Sequence, residues 1–244
     1  MLKTSFAAML VAGAVAVVSP VAAQETPVEA PAAPASALTE AQVVAFNKAV
    51  ADFTEGQKLQ QAGNNAGAAT KYDAALPAIR DAVKAEPANM NYVSFLGNAL
   101  YAQAAAKAGT GDVNALVALF TEAAPYWRKV VDSKPEDAVS RTIYTGILVQ
   151  LGNAALSAQN KAGADPYYRE AVEFARKSVA ASAQDAVARN QLLGGLIGLS
   201  QTSEDAAVRT EAATLSKMML ADGSVDAANK PAAQAMAGSA PAAG

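Results

Sequence analysis

Cysteine is absent from the 244 residues, which removes disulfides, thiolate metal sites, a cysteine nucleophile and lipid attachment through cysteine. Histidine is absent as well. With it go the commonest general base, the serine–histidine pair and the commonest zinc ligand. No glycine-rich phosphate loop leads into Lys-Ser/Thr, and no dinucleotide fingerprint opens a helix after a strand. Basic residues form no cluster and the formal net charge is −3. Nucleic acid and anionic membrane surfaces need a basic field to bind, so neither fits as the main partner. The chain reads as a non-enzyme, with no cofactor and no metal expected.

The two ends differ in composition from the middle. Residues 1–23 carry one positive charge at Lys3, an apolar run from Phe6 to Val18 and the small-residue ending Val21-Ala22-Ala23, the pattern of a cleaved secretory signal. That run is too short to span a bilayer, which takes roughly 20 residues, and no later segment reaches that length without a charge. Residues 24–37 mix Pro, Ala and Glu without an apolar period, and residues 223–244 are again rich in Ala, Pro and Gly. Both are expected to be disordered, because neither buries enough apolar surface to offset chain entropy. The folded domain is therefore expected over 38–222. Removing Lys3 with the signal leaves −4 on the mature chain, ordinary for a soluble protein. No asparagine stands in an Asn-x-Ser/Thr acceptor, so a bacterial periplasm is favoured over a eukaryotic secretory route.

Between the ends no run alternates apolar and polar residues, and the period of three to four dominates, which predicts helices. The chain also resembles itself. A shift of 48 superposes Tyr72, Phe120 and Tyr168; Arg80, Arg128 and Arg176; Val83, Val131 and Val179; and Leu100, Leu148 and Leu196. Pro87 meets Pro135, Asn89 meets Asp137 and Asp185, and Arg141 meets Arg189. Arginine is scarce, and five of the seven fall into this register, so the period is a true repeat.

Each unit reads as two helices. The first carries an apolar stripe such as Tyr72, Leu76, Ile79 and Val83. Asn89, Asp137 or Asp185 then caps the second. Gly97, Gly146 and Gly194 lie near the middle of the second helix, where glycine costs about 1 kcal/mol against alanine; their expected use is close approach of a neighbour. Other starts are the capping box Thr39-x-x-Gln42, Asp112, Asp165 before Pro166, and Ser203-Glu204-Asp205. About eight helices are expected, near 39–62, 64–86, 89–108, 112–134, 137–161, 165–182, 185–201 and 203–221.

The run FTEGQKLQQAGNNAGAATKYDAALPAI at 53–79 resembles the tetratricopeptide repeat, through Gly56, Leu59, Gly63, Ala68, Tyr72 and Ala75. The match is good over this unit and partial in the next two. The resemblance implies an all-α, TPR-like α-solenoid of about four antiparallel helix pairs that binds a protein or peptide. That family's unit is shorter, roughly 34 residues. The excess in this chain is assigned to longer helices and to stretches such as 108–112 and 160–165.

Carboxylate pairs such as Glu170 with Glu173, or Asp222 with Asp226, are present, and the first, which shares its helix with Arg169, Arg176 and Lys177, reads as a solvated ion-paired face. Arg80, Arg128 and Arg176 lie beside the apolar stripe, about 80° round the helix from the aromatic, and are expected to pair with carboxylates between helices. Trp127 is expected in the core. In the resembling family the second helix of each unit here corresponds to the one lining the concave groove, which makes Asn91, Ser94, Asn98, Tyr101, Arg141, Tyr144, Arg189 and Asn190 the candidate partner-binding residues. Their donors and flat apolar area suit a peptide or an acidic terminus. The family's carboxylate clamp is not matched, since Asn98 has no accompanying lysine. An alternative reading is a small-molecule binder for a glycan or lipid, held by Tyr101, Tyr144, Tyr167 and Trp127.

Overall fold

The computed structural model describes residues 38–239; the expected signal peptide, the 24–37 linker and residues 240–244 lie outside them. Among the described residues there are nine helices and no strand: α1 (Glu40–Gln61), α2 (Asn65–Ala85), α3 (Met90–Gly109), α4 (Val113–Ser133), α5 (Ala138–Ser157), α6 (Lys161–Ala181), α7 (Ala186–Thr202), α8 (Ala206–Ala221) and α9 (Lys230–Ser239). Each helix packs on its neighbours in sequence, giving an all-α, solenoid-like array. No described helix is long and apolar enough to cross a membrane.

The caps repeat with the sequence period. Asn64, Asp112 and Asn160, each one period from the last, accept from the backbone N–H groups of Gly67, Ala115 and Gly163 at 2.9, 3.0 and 2.9 Å. These are backbone donors that a helix start leaves without a partner. Asn89, Asp137 and Asp185 cap α3, α5 and α7 in the same way. The Thr39–Gln42 capping box is present. One residue before each of the first set of caps the chain turns through positive φ, at Gly63, Gly111 and Gln159 (79°, 83° and 62°).

Three expected boundaries are corrected. The turn before α6 is closed by Asn160, so α6 begins at Lys161 and Pro166 stands inside it; Asp165 instead accepts from Arg169 Nε at 2.6 Å and from Thr202 Oγ1 at 3.1 Å. The stretch 161–165 is therefore helix rather than insert. In 108–112 the turn proper is similarly short, because α3 runs to Gly109, and the extra length of the unit resides in helices of 20 to 22 residues. Third, the fold does not stop at 222. Helix α9 packs on α8 and α7 with Ala233 fully buried. Its composition hides it: five of its ten residues are Ala or Gly, so there is little apolar area to read along the chain.

The core runs the length of the array. Tyr72, Ile79, Leu96 and Leu100 are fully buried near its start, as are Tyr168, Leu193, Leu196 and Met219 near its end. Trp127 is buried against Gly97, where an added Cβ would lie 3.2 Å from its Nε1. The even-numbered helices are tied across the gaps between them by the repeated arginines. Arg80 grips Glu122 through Nε and Nη2 at 2.6 and 2.8 Å, Arg128 reaches Glu170 and Arg176 reaches Glu211.

Candidate partner-binding face

The odd-numbered helices carry all eight candidate residues, and the structure divides them. Arg141 is 5% exposed, its Nε toward Ser178 Oγ at 3.4 Å and its Nη1 on the carbonyl of Pro135. Tyr144 is 3% exposed, edge-on to Phe174, and its hydroxyl donates to Glu170 at 2.8 Å. Burial, and then the Glu170 carboxylate, push this phenol's pKa upward. Arg189 pairs with Asp222 at 2.8 Å. Asn190 is buried and fully engaged: its Nδ2 donates to the carbonyls of Ala186 and Ser224, and its Oδ1 accepts from Asp226 N at 2.9 Å. These four direct their polar groups to partners within the fold.

The four on α3 are placed differently. Asn91 and Asn98 are exposed, seven residues apart and so on one helix face. Neither side-chain amide has a hydrogen-bond partner among the described residues. Ser94 is half-buried and donates to the Asn91 carbonyl at 3.2 Å. Tyr101 is half-buried and stacks on Phe120 with ring centroids 5.7 Å apart; burial raises its pKa.

What separates α3 from the others is how each odd helix meets the next. Between α5 and α7, Gln191 Nε2 donates to the carbonyl of Thr142 at 2.7 Å, and its nitrogen lies over Gly146, 3.5 Å from where a Cβ would be. Between α7 and α9 the arrangement recurs one period on. Asn229 Nδ2 donates to the carbonyl of Asn190 at 3.1 Å, with the Asn229 amide over Gly194. A carboxamide thus lands on a glycine and takes the carbonyl one turn below it. Between α1 and α3 the joint is aromatic instead, Phe46 lying 5.0 Å from Tyr92 and 5.7 Å from Phe95 between centroids.

At α3/α5 neither device exists. Asn98 stands at the register position of Gly146 and Gly194, and Ile143 stands at that of Gln191. No Cα of α3 comes within 8 Å of a Cα of α5. The odd layer is parted there, with Asn91, Ser94 and Asn98 on one side and the exposed Val139 on the other. The open seam is not legible in composition or motif, but aligning the units on their period exposes it, since glycine recurs twice and asparagine once.

Charge is also sparse on this face. In α3, α5 and α7 the charged residues are Lys107, Arg141 and Arg189; Lys107 pairs with Asp73 at 3.3 Å, and the other two are engaged as described. An acidic terminus would find no free cation here. Of the aromatics expected to hold a small molecule, Tyr144 and Trp127 are core, and Tyr101 and Tyr167 pack against it. Two open hollows lie elsewhere, one between α6 and α8 beside Arg169, Arg176 and Glu211, the other between α7 and α9 beside Ile197 and Met236. Among the described residues no three carboxylates group as a metal site. No protein-family model matches the chain, and neither does any curated protein sequence.

Proposed function

We propose that this chain is an exported, periplasmic interaction scaffold of TPR-like design that holds a peptide or an envelope protein on the face made by α3 and the parted seam beside it. The observation that carries this reading is the pair of exposed amides on α3, Asn91 and Asn98, which make no side-chain hydrogen bond among the described residues and lie beside the parted seam, while Arg141, Tyr144, Arg189 and Asn190 are used internally. Carboxamides offer a donor and an acceptor each, which matches an uncharged main chain or neutral side chains better than a carboxylate. Stacked helix pairs supply a continuous surface for such a partner. Its export rests on the residue 1–23 pattern.

The test is site-specific photo-crosslinking of the exported protein in its own cells, with the reactive group at Asn91 or Asn98 and a control at Lys129 on the even layer, which is exposed. The expected result is a discrete adduct from the α3 positions that is missing from the control. Identical adducts from all three positions, or none from α3, would sink the proposal.

A further inference from the structure

The joint series has a mechanical meaning that does not depend on any partner. A stacked array resists bending at a joint when both of its layers are tied there. At the α5–α7 step the odd layer is closed by the Gln191 amide on Thr142 and the next even-layer step by Arg176 on Glu211. At the α1–α3 step the odd layer is closed by Phe46 against Tyr92 and Phe95, with Arg80 on Glu122 behind. At α3–α5 the even side is tied and the odd side is not. Glu170 accepts from both Arg128 and Tyr144, and Trp127, Val131 and Leu148 keep α4 against α5 in one core. Across the seam no Cα of α3 lies within 8 Å of a Cα of α5, unlike the other odd-layer joints.

We infer that the α4/α5 joint is a hinge whose axis runs near Glu170, so that α1–α4 and α5–α9 swing as two bodies and widen or narrow the α3/α5 seam. Packed elements move by such rotations when one edge is held and the other is free, and the residues at the held edge absorb the change. The sequence shows what sets the hinge apart: Asn98 stands where glycine would accept a clamp, and Ile143 where an amide would supply one.

Because the chain has no cysteine, pairs of nitroxide labels can be placed uniquely. Val43, Asn91 and Val139 are exposed and each lies one period from the last. The pair Asn91→Cys with Val139→Cys spans the seam, and Val43→Cys with Asn91→Cys spans the closed α1/α3 joint. Double electron–electron resonance on the free full-length protein should give a distance distribution at least about twofold wider across the seam than across the control joint. Adding Asn98→Gly and Ile143→Gln, which copies the clamp of the next joint, should narrow it to the width of the control. A native seam as narrow as the control overturns the proposal, and so does a folded clamp variant that stays broad. If the clamp variant does not fold, the comparison of the two label pairs decides alone.

Discussion

A methyl group on Gly56 would sit 2.6 Å from Cε1 of Tyr72. The ring cannot retreat, because Tyr72 is fully buried and its hydroxyl donates to Gln60 at 2.9 Å; burial pushes that phenol's pKa up to about 12. Two periods on, Gly152 stands in the same relation to Tyr168, at 2.7 Å, and that hydroxyl donates to Asn153. Gly56→Ala and Gly152→Ala should therefore each cost about 1–3 kcal/mol by overpacking, although alanine is the better helix former. Urea denaturation checks this, and an unchanged or raised midpoint would contradict the packing.

Gln159 occupies the left-handed turn position that Gly63 and Gly111 hold in the earlier units. A side chain there costs about 1–2 kcal/mol that glycine avoids, less the extra freedom glycine has when unfolded. Gln159→Gly should raise stability by a net of about 0.5 kcal/mol, visible as a small upward shift in Tm.

Asp137 caps α5, and its carboxyl is held below the ordinary value of 3.8, chiefly by the Ser140 hydroxyl at 2.6 Å and also by the backbone N–H groups of Val139 and Ser140. A carboxylate with a lower pKa folded than unfolded stabilises the fold fully above its unfolded value, and the contribution fades as pH falls through the folded one. Asp137→Asn keeps an acceptor at the cap and removes the titration. The wild-type advantage over this variant should be constant near neutrality and shrink below about pH 4. A gap that stays level into acid would show that the charge contributes nothing.

Arg141 and Asn98 are equivalent candidates on sequence and should behave oppositely in the folded protein. Arg141→Ala removes a buried guanidinium and leaves the Pro135 carbonyl without its donor, a loss of about 2–4 kcal/mol. Asn98→Ala removes an exposed side chain and should leave stability within about 0.5 kcal/mol while lowering the yield of the adduct captured from position 91. Paired melting curves and crosslinking yields distinguish the two effects.

Ending the chain after Asp222 would remove α9 and uncover Leu193, Ile197 and Met219, and would strip Asn190 of its bonds to Ser224, Asp226 and Asn229. The truncated protein should be less stable by about 2–4 kcal/mol, and amide exchange should quicken in α7 and α8. Unchanged protection there would mean that α9 is dispensable.

Much of the architecture is decided locally and can be read along the chain. Caps such as Thr39, Asp112, Asn89 and Asp137 act on backbone groups two or three residues away, so their effect needs no tertiary context. The internal period carries the helix pairs, the buried aromatics and the arginine ties, because each unit repeats the same nearest-neighbour contacts. Composition misjudges α9, whose place in the fold is set by what Ala233 and Asn229 meet on α7 and α8. The candidate face is decided only in three dimensions. Arg141, Tyr144, Arg189 and Asn190 are polar hydrogen-bonding residues on the same layer as Asn91 and Asn98, and what spends the first set internally is the position of Pro135, Glu170, Asp222 and Ser224, far away along the chain for all but the first. Sequence determines which side chains can form a joint; whether a joint closes depends on what the neighbouring helix brings to it, and at α3/α5 it brings isoleucine to an asparagine.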